Sequence, residues 1–268
     1  MPEASWKEPV RIATEEGSFA ALLACIRGQK TAHAGTPPAA MKREMARLLR
    51  HRLSGAALSD LAFALARSEE PGAQEVGALL LIDTYEDRPD AALAALATLC
   101  QSPHWEVREW AGSALGSVLE THFDVVLPQV RAWAQDTSDL LRRGVVIALM
   151  ECASRSGAPV VEPVLDILGG LLRDPSPYVQ ANLGPFAIGS ALAAQFPDAV
   201  CARLRIWVRD EDERTRRQVA LIFSAAAGAR IAAPAGDVLD VLAADERPAV
   251  QRALRRARAR IAKVAGEG

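Results

Sequence analysis

The sequence predicts an all-α protein built as a solenoid of helical hairpins, and three observations support this. Half of the 268 residues are apolar and only 5% are aromatic, which favours helices packed closely through small side chains. From about Met41 onward one motif recurs: a short turn rich in Asp, Pro and Ser, a helix, a polar break and a second helix. No stretch alternates apolar and polar residues in the way that predicts a β-strand.

The period of this motif identifies the repeat class. Aligned segments place Arg108, Arg143, Ala181, Arg217 and Arg252 at equivalent positions, at intervals of 35, 38, 36 and 35 residues. Intervals of this length are typical of solenoids built from helix pairs. We therefore predict a single right-handed α-solenoid of about six HEAT-like helical hairpin repeats.

The turns between the predicted repeats also indicate where helices begin. Asp136, Asp174, Asp210 and Asp245 each precede a predicted helix by a few residues. An Asp or Ser side chain can accept hydrogen bonds from the unpaired N–H groups of a first helical turn, and Pro is tolerated there. These turns are therefore predicted helix starts.

The repeats are expected to form one domain over residues 1–268. In this interpretation an N-terminal helix and loop occupy 1–38, the repeats occupy 39–246, and a capping helix occupies 247–268. Residues 18–27 have the amphipathic pattern of the N-terminal helix.

The charge of the chain argues against a uniformly basic nucleic-acid-binding surface. The formal net charge is −2, with an acidic middle third and a basic C-terminal part. A protein that binds a polyanion through many phosphates usually carries a basic footprint. DNA would therefore have to be bound locally.

The cysteine pattern and the hydropathy of the chain indicate the cellular compartment in which the protein is expected. The four cysteines have no CxxC spacing and lie in apolar helical stretches, so buried free thiols in a reducing, cytoplasmic environment are expected. No signal-peptide pattern opens the chain and no run approaches 18 apolar residues, so no membrane partner is expected. The four histidines lack metal-ligand spacing, and no glycine-rich phosphate loop occurs, so we expect neither a metal nor a cofactor.

Three segments resemble a known family. They are GTPPAAMKREMARLLR, SPHWEVREWAGSALGSVLETHFDVVLPQVRAWAQDTSDLLRRGVVIALM and YVQANLGPFAIGSALAAQFPDAV. Together they resemble the HEAT-like repeat DNA alkylation repair proteins of the AlkD and AlkC group, over roughly residues 35–225. The resemblance implies a HEAT-like solenoid, DNA as a partner, and an alkylpurine DNA glycosylase activity.

The resemblance also implies site residues. The family's Trp-Trp-Asp-x-Val-Asp stretch ends in the catalytic carboxylate, and laid on it Trp105 replaces one tryptophan and Glu109 replaces that Asp. The functional arginine of the next repeat corresponds to Arg143. The pocket aromatic is expected in the helix that carries Tyr178 and Phe186.

The sequence departs from the family pattern at three points. The carboxylate at position 109 is Glu rather than Asp, one methylene longer, at a site where placement to about an ångström matters. The second pocket aromatic is represented by Pro185 followed by Phe186. The Glu that AlkC-type proteins carry after their paired arginines corresponds to a position near Ile147.

The residues themselves support a site at the start of one helix. Glu106 and Glu109 are three positions apart and share a face, and acidic residues there also suit the helix dipole, so a solvated helix start is an equal alternative. With Trp105, Trp110 and Arg143 they could form a pocket floor that suits a cationic centre, because carboxylates and aromatic faces both attract positive charge.

Arginines recur near helix starts. Arg142, Arg143 and Arg217 could bind phosphate or sulfate through their forked donors. Pairing with aspartates of neighbouring repeats is the alternative reading.

Three functions from different classes remain open. The first is DNA alkylation repair, with Glu109 as the catalytic carboxylate and Glu106 beside it. The second is an enzyme that acts on a small cationic or anionic molecule in secondary metabolism, with Glu109 assisting ring closure or elimination and an arginine holding an anionic leaving group. The third is a non-catalytic scaffold that binds a protein partner through tryptophans such as Trp105 and Trp110.

Overall fold

The computed structural model describes residues 6–32 and 34–266, and every regular element in them is helical. The predicted all-α class and α-solenoid architecture are confirmed. The chain divides into two compact units, Met1–Val118 and Leu119–Gly268. The single domain expected over the whole chain stays a prediction.

The first unit is built of helical hairpins. A single helix is expected before residue 39, and this is wrong: two are present. The nine-residue helix α1 escapes notice because it is short and strongly polar, and Val10 and Ala13 are its buried residues. The helix expected over residues 18–27 corresponds to α2. It is capped by the Ser18 side chain, which accepts a hydrogen bond from Ala21 N at 3.3 Å. The helices are α1 Lys7–Glu15, α2 Phe19–Arg27, α3 Ala39–Arg52, α4 Gly55–Ala66, α5 Pro71–Leu81, α6 Pro89–Leu99 and α7 Trp105–Thr121.

The second unit continues the hairpin pattern, and the predicted capping helix is its last element. Its core is formed by fully buried aliphatic side chains such as Leu149, Leu168 and Val219. The helices are α8 Phe123–Trp133, α9 Asp139–Ser156, α10 Ala158–Leu171, α11 Pro177–Asn182, a π-helix Leu183–Leu192, α12 Ala193–Gln195, α13 Pro197–Trp207, α14 Glu213–Ile222, α15 Ala226–Arg230, α16 Gly236–Ala243 and α17 Pro248–Gly266.

One hydrogen-bonded turn recurs at six places among the described residues. The side-chain oxygen of its first residue accepts from the N–H two residues later, at 2.8–3.2 Å. The side chain six residues later then donates to the first residue's carbonyl oxygen, at 2.5–2.9 Å. The pairs are Ser68 and Gln74, Ser102 and Arg108, Asp136 and Arg142, Asp174 and Gln180, Asp210 and Arg216, and Asp245 and Gln251.

This motif corrects the predicted repeat register by one residue. Arg108 is equivalent to Arg142, since both donate to their own turn. The residue equivalent to Arg143 is therefore Glu109, and in the preceding repeat it is Glu75. The position that follows each turn-binding side chain thus carries a carboxylate in two repeats of the first unit. In the second unit it carries an arginine in three repeats, at Arg143, Arg217 and Arg252, and Ala181 in the fourth.

A π-helix of ten residues interrupts the second unit at Leu183–Leu192. Pro185 has no N–H to donate and its ring crowds the preceding turn, which favours a local widening of the helix. The Ser190 hydroxyl donates to Pro185 O at 2.8 Å, five residues back. The segment packs closely against α14 at Gly189, where there is no room for a side chain: a Cβ on Gly189 would lie 2.5 Å from Ile222 O.

Candidate active site on helix α7

The first turns of α7 carry most of the predicted catalytic residues. Trp105 is the first residue of the helix and its side chain is 46% exposed. Glu109 follows one helical turn later and is partly buried. Residues four apart lie on the same face of a helix, so the Glu109 carboxylate and the Trp105 indole are presented on one side.

Glu106 has a different environment. Its Oε1 accepts a hydrogen bond from Lys42 Nζ at 2.8 Å, and its Oε2 accepts one from the Thr36 hydroxyl at 2.6 Å. Burial opposes its ionisation, but the hydrogen bonds from Lys42 and Thr36 outweigh that effect and hold the pKa of Glu106 below its usual value. Glu106 therefore ties α7 to α3 and to the loop before it.

Lys42 is the centre of a buried charge cluster. It is fully buried, and its Nζ lies 2.7 Å from Oε2 of Glu75, a residue of α5 that is also fully buried. Burial raises the pKa of Glu75 to about 7, although Lys42 partly counteracts it. The cluster joins the first helices of three successive hairpins through Lys42, Glu75 and Glu106.

Trp110 forms one wall of this cluster. The Lys42 Nζ lies 5.1 Å from its ring centroid, and the Cζ atom of Arg43 lies 5.2 Å from the same centroid. Both distances are within the range of cation–π attraction. Trp110 is half-buried and is thus largely a structural partner of α3 rather than an open aromatic surface.

The loop before α7 is fixed by two side chains. Arg108 donates to Ser102 O at 2.7 Å and to Pro103 O at 3.0 Å. The His104 Nε2 lies 3.0 Å from Ala34 O and is within hydrogen-bonding distance of it. These contacts hold the chain that leads into Trp105.

The predicted arginines lie in the second unit, and all three make inter-repeat contacts. Arg142 binds both Asp174 carboxylate oxygens, at 2.6 and 3.0 Å, so the pairing that the sequence left open is present. Arg217 donates to Gln180 Oε1 at 2.7 Å.

Arg143 is only 3% exposed. It donates to Asn182 Oδ1 at 3.1 Å, and its Cζ lies 5.4 Å from the Tyr178 ring centroid. Tyr178 therefore packs on a predicted site arginine, whereas Phe186 is 49% exposed and lies on the π-helix. Substrate-binding roles for these residues stay predictions.

Four residues of the α7 region are absent from the sequence-based prediction: Thr36, Lys42, Arg43 and Glu75. A lone Glu75 within the apolar run of α5 is the one signal that the sequence offers. Lys42 gives none, because a lysine in a charged helix is ordinarily exposed. Among the described residues, no group of three His, Cys, Asp or Glu side chains is arranged to hold a metal ion.

Comparison with known proteins assigns the family. A sequence profile described as DNA alkylation repair enzyme matches residues 29–192, which is more than half of the chain and includes α7 and Arg143. The chain belongs to the DNA alkylation repair enzyme family. The resemblance inferred from three segments over roughly residues 35–225 is confirmed.

Two solved structures from Streptococcus mutans have a similar fold. One is smu.31 from strain UA159, with a TM-score of 0.58 and 17% identity over 80% of this chain and 96% of that chain. The other is AlkD2, also with a TM-score of 0.58 and 17% identity, over 80% of this chain and 97% of that chain. A search of curated protein sequences finds no match to this chain. No helix within residues 6–32 and 34–266 has the length and apolar character needed to cross a membrane.

Proposed function

We propose that this member of the DNA alkylation repair enzyme family is a cytoplasmic DNA glycosylase that removes alkylated purines, with Glu109 as its catalytic carboxylate. The observation that carries the proposal is that Glu109 and Trp105 lie on the same face of the first turns of α7. Trp105 is 46% exposed, which is unusual for the largest apolar side chain, and a flat exposed ring is a surface against which a base or a deoxyribose can pack.

The chemistry follows from the charge that develops at the sugar. As the N-glycosidic bond breaks, its electron pair leaves with the purine, and C1′ becomes positively charged. A purine alkylated at N3 or N7 is already cationic and leaves as a neutral base. The Glu109 carboxylate would stabilise the positive sugar, and water then adds to C1′ and releases a proton.

The Glu106 carboxylate is held by neighbouring side chains. It already accepts hydrogen bonds from Lys42 and Thr36, and both bonds would have to break before it could approach a substrate. We therefore propose that Glu106 fixes the orientation of α7. The catalytic role proposed for Glu109 is supported by its match to the catalytic Asp of the family and by its place with Trp105 on one face of α7.

The test incubates the protein with duplex DNA that carries N7-methylguanine and measures the released free base by chromatography. The control is the same DNA heated without protein. We expect release from methylated DNA and none from unmodified DNA. Absence of release, together with absence of duplex binding at low salt, would overturn the proposal.

A second candidate is the conversion of a small cationic or anionic molecule at the same carboxylate. The net charge of −2 favours it, because duplex binding gains most of its affinity from phosphate neutralisation. It predicts that the wild-type protein leaves methylated DNA intact and shows no salt-dependent duplex binding.

A further inference from the structure

Arg43 is an exposed cation held over an aromatic ring of the candidate site. It lies on α3, and its Cζ is 5.2 Å from the ring centroid of Trp110, the residue that follows Glu109. Its chain neighbour Lys42 contacts the same indole from the buried side and is held by Glu75 and Glu106. The two cations therefore have different roles: Lys42 is internal, and Arg43 faces solvent.

Other arginines of α3 are neutralised by carboxylates. Arg47 Nε lies 2.7 Å from Glu44 Oε2, and Arg50 Nε lies 2.7 Å from Asp83 Oδ2. Within residues 6–32 and 34–266, no carboxylate lies within 4.0 Å of the Arg43 guanidinium. In the part of the chain that the structure describes, the positive charge of Arg43 beside α7 therefore has no carboxylate partner.

The contact with Trp110 also suits anion binding. The π-surface of an aromatic ring holds a guanidinium that lies over it, so the in-plane N–H groups of the guanidinium remain available to donate hydrogen bonds. Those forked donors match the oxygens of a phosphate group and can bind it through two parallel hydrogen bonds. The Trp110 ring restricts the motion of the Arg43 side chain and reduces the entropy lost on binding.

We propose that Arg43 binds a phosphate group of the substrate at the edge of the candidate site. The inference rests on the proposed function, under which the group is a backbone phosphodiester next to the nucleotide that packs on Trp105. Arg43 acts here as a positioning residue: it would set the register of the strand relative to Glu109.

The test measures duplex affinity as a function of salt for the wild type, Arg43→Gln, Arg43→Lys and the control Arg47→Gln, which removes an exposed arginine of the same helix. Each phosphate contact adds about 0.9 to the slope of log affinity against log salt concentration. We expect Arg43→Gln to lower that slope by about 1. Arg43→Lys should keep the slope and weaken binding several-fold, because it keeps the charge and loses the fork.

The outcomes separate this inference from the proposed function. Equal slopes for Arg43→Gln, Arg47→Gln and the wild type would overturn the inference even if base release is observed. If the wild type binds no duplex, the proposed function fails. Titration with inorganic pyrophosphate then tests whether Arg43 binds a phosphate group of any kind. A shift of the Arg43 Nε–H resonance in a ¹⁵N NMR spectrum would support a phosphate site for a small molecule, and no shift would overturn the site altogether.

Discussion

Lys42 Nζ lies 2.7 Å from Glu75 Oε2, and both side chains are fully buried. The Oε1 atom of Glu106 lies 2.8 Å from the same ammonium. One buried cation therefore joins α3, α5 and α7 at the point where α7 presents Trp105 and Glu109. The geometry of the candidate site depends on a charge network that takes no direct part in the proposed chemistry.

Removal of this cation should destabilise the protein. Lys42→Met leaves the buried Glu75 and the partly buried Glu106 without their counter-ion, and we expect a loss of about 3–5 kcal/mol in the free energy of unfolding. Glu75→Gln should cost less than about 1.5 kcal/mol, because Lys42 keeps Glu106 as its partner. Urea unfolding of both variants beside the wild type measures the difference. Equal losses for the two variants would contradict the central place of Lys42.

The raised pKa of Glu75 predicts how stability depends on pH. Its pKa is about 7 in the folded protein and near the ordinary 4.5 in the unfolded chain. Between these values the folded state holds a proton that the unfolded state has released, so raising the pH favours unfolding. This contribution is complete below about pH 4.5 and is lost as the pH rises to about 7.

A comparison with Glu75→Gln isolates the effect. Glu106, whose pKa is lowered, contributes with the opposite sign, so the quantity to follow is the wild-type stability minus that of the variant. We expect this difference to shrink between pH 4.5 and 7. A difference that stays constant across that interval would show that Glu75 does not titrate there.

Trp105 should contribute to binding and little to stability. Its side chain is 46% exposed, so Trp105→Ala leaves the core intact. Stacking of one base on an aromatic ring is worth about 1–3 kcal/mol, so the dissociation constant for single-stranded DNA should rise about 5- to 150-fold. Ile206→Ala, at a residue that is 56% exposed in the second unit, is the control. A loss of affinity shared by both variants would argue against a specific role for Trp105.

Substitution by alanine should have opposite effects on stability at two glycines. A Cβ on Gly189 would lie 2.5 Å from Ile222 O, so Gly189→Ala must displace backbone and should cost about 1–3 kcal/mol. A Cβ on Gly170, exposed near the end of α10, meets no atom within 4 Å. Gly170→Ala should therefore stabilise the protein by up to about 1 kcal/mol. Thermal unfolding of the two variants should give melting temperatures on opposite sides of the wild-type value.

The fold could be predicted because its periodic parts depend on local chemistry. Asp136 and Asp174 form side-chain turns with the residues that follow them, so the sequence pattern and the structure report the same interaction. The register at Arg108 could not be derived, since two adjacent arginines, Arg142 and Arg143, both fit the pattern. Only the hydrogen bond from Arg142 to its own turn distinguishes them.

The candidate site could be predicted only in part. Trp105 and Glu109 follow from the family resemblance. The burial of Lys42 depends on packing among three helices that are distant in sequence, and no local pattern predicts a lysine in the interior. The environment of Glu106 follows from that burial, which is why spacing alone grouped it with Glu109 as an equivalent carboxylate.

The most direct test of the account is the single-turnover rate of base release from duplex DNA that carries N7-methylguanine, for the wild type and for Glu109→Gln. Glu69→Gln, at an exposed glutamate outside the site, is the matched control. We predict that Glu109→Gln lowers the rate by roughly 10²-fold or more while duplex affinity is retained, and that Glu69→Gln has the wild-type rate. A rate for Glu109→Gln equal to that of the wild type would contradict the account, because release would then not depend on the Glu109 carboxylate.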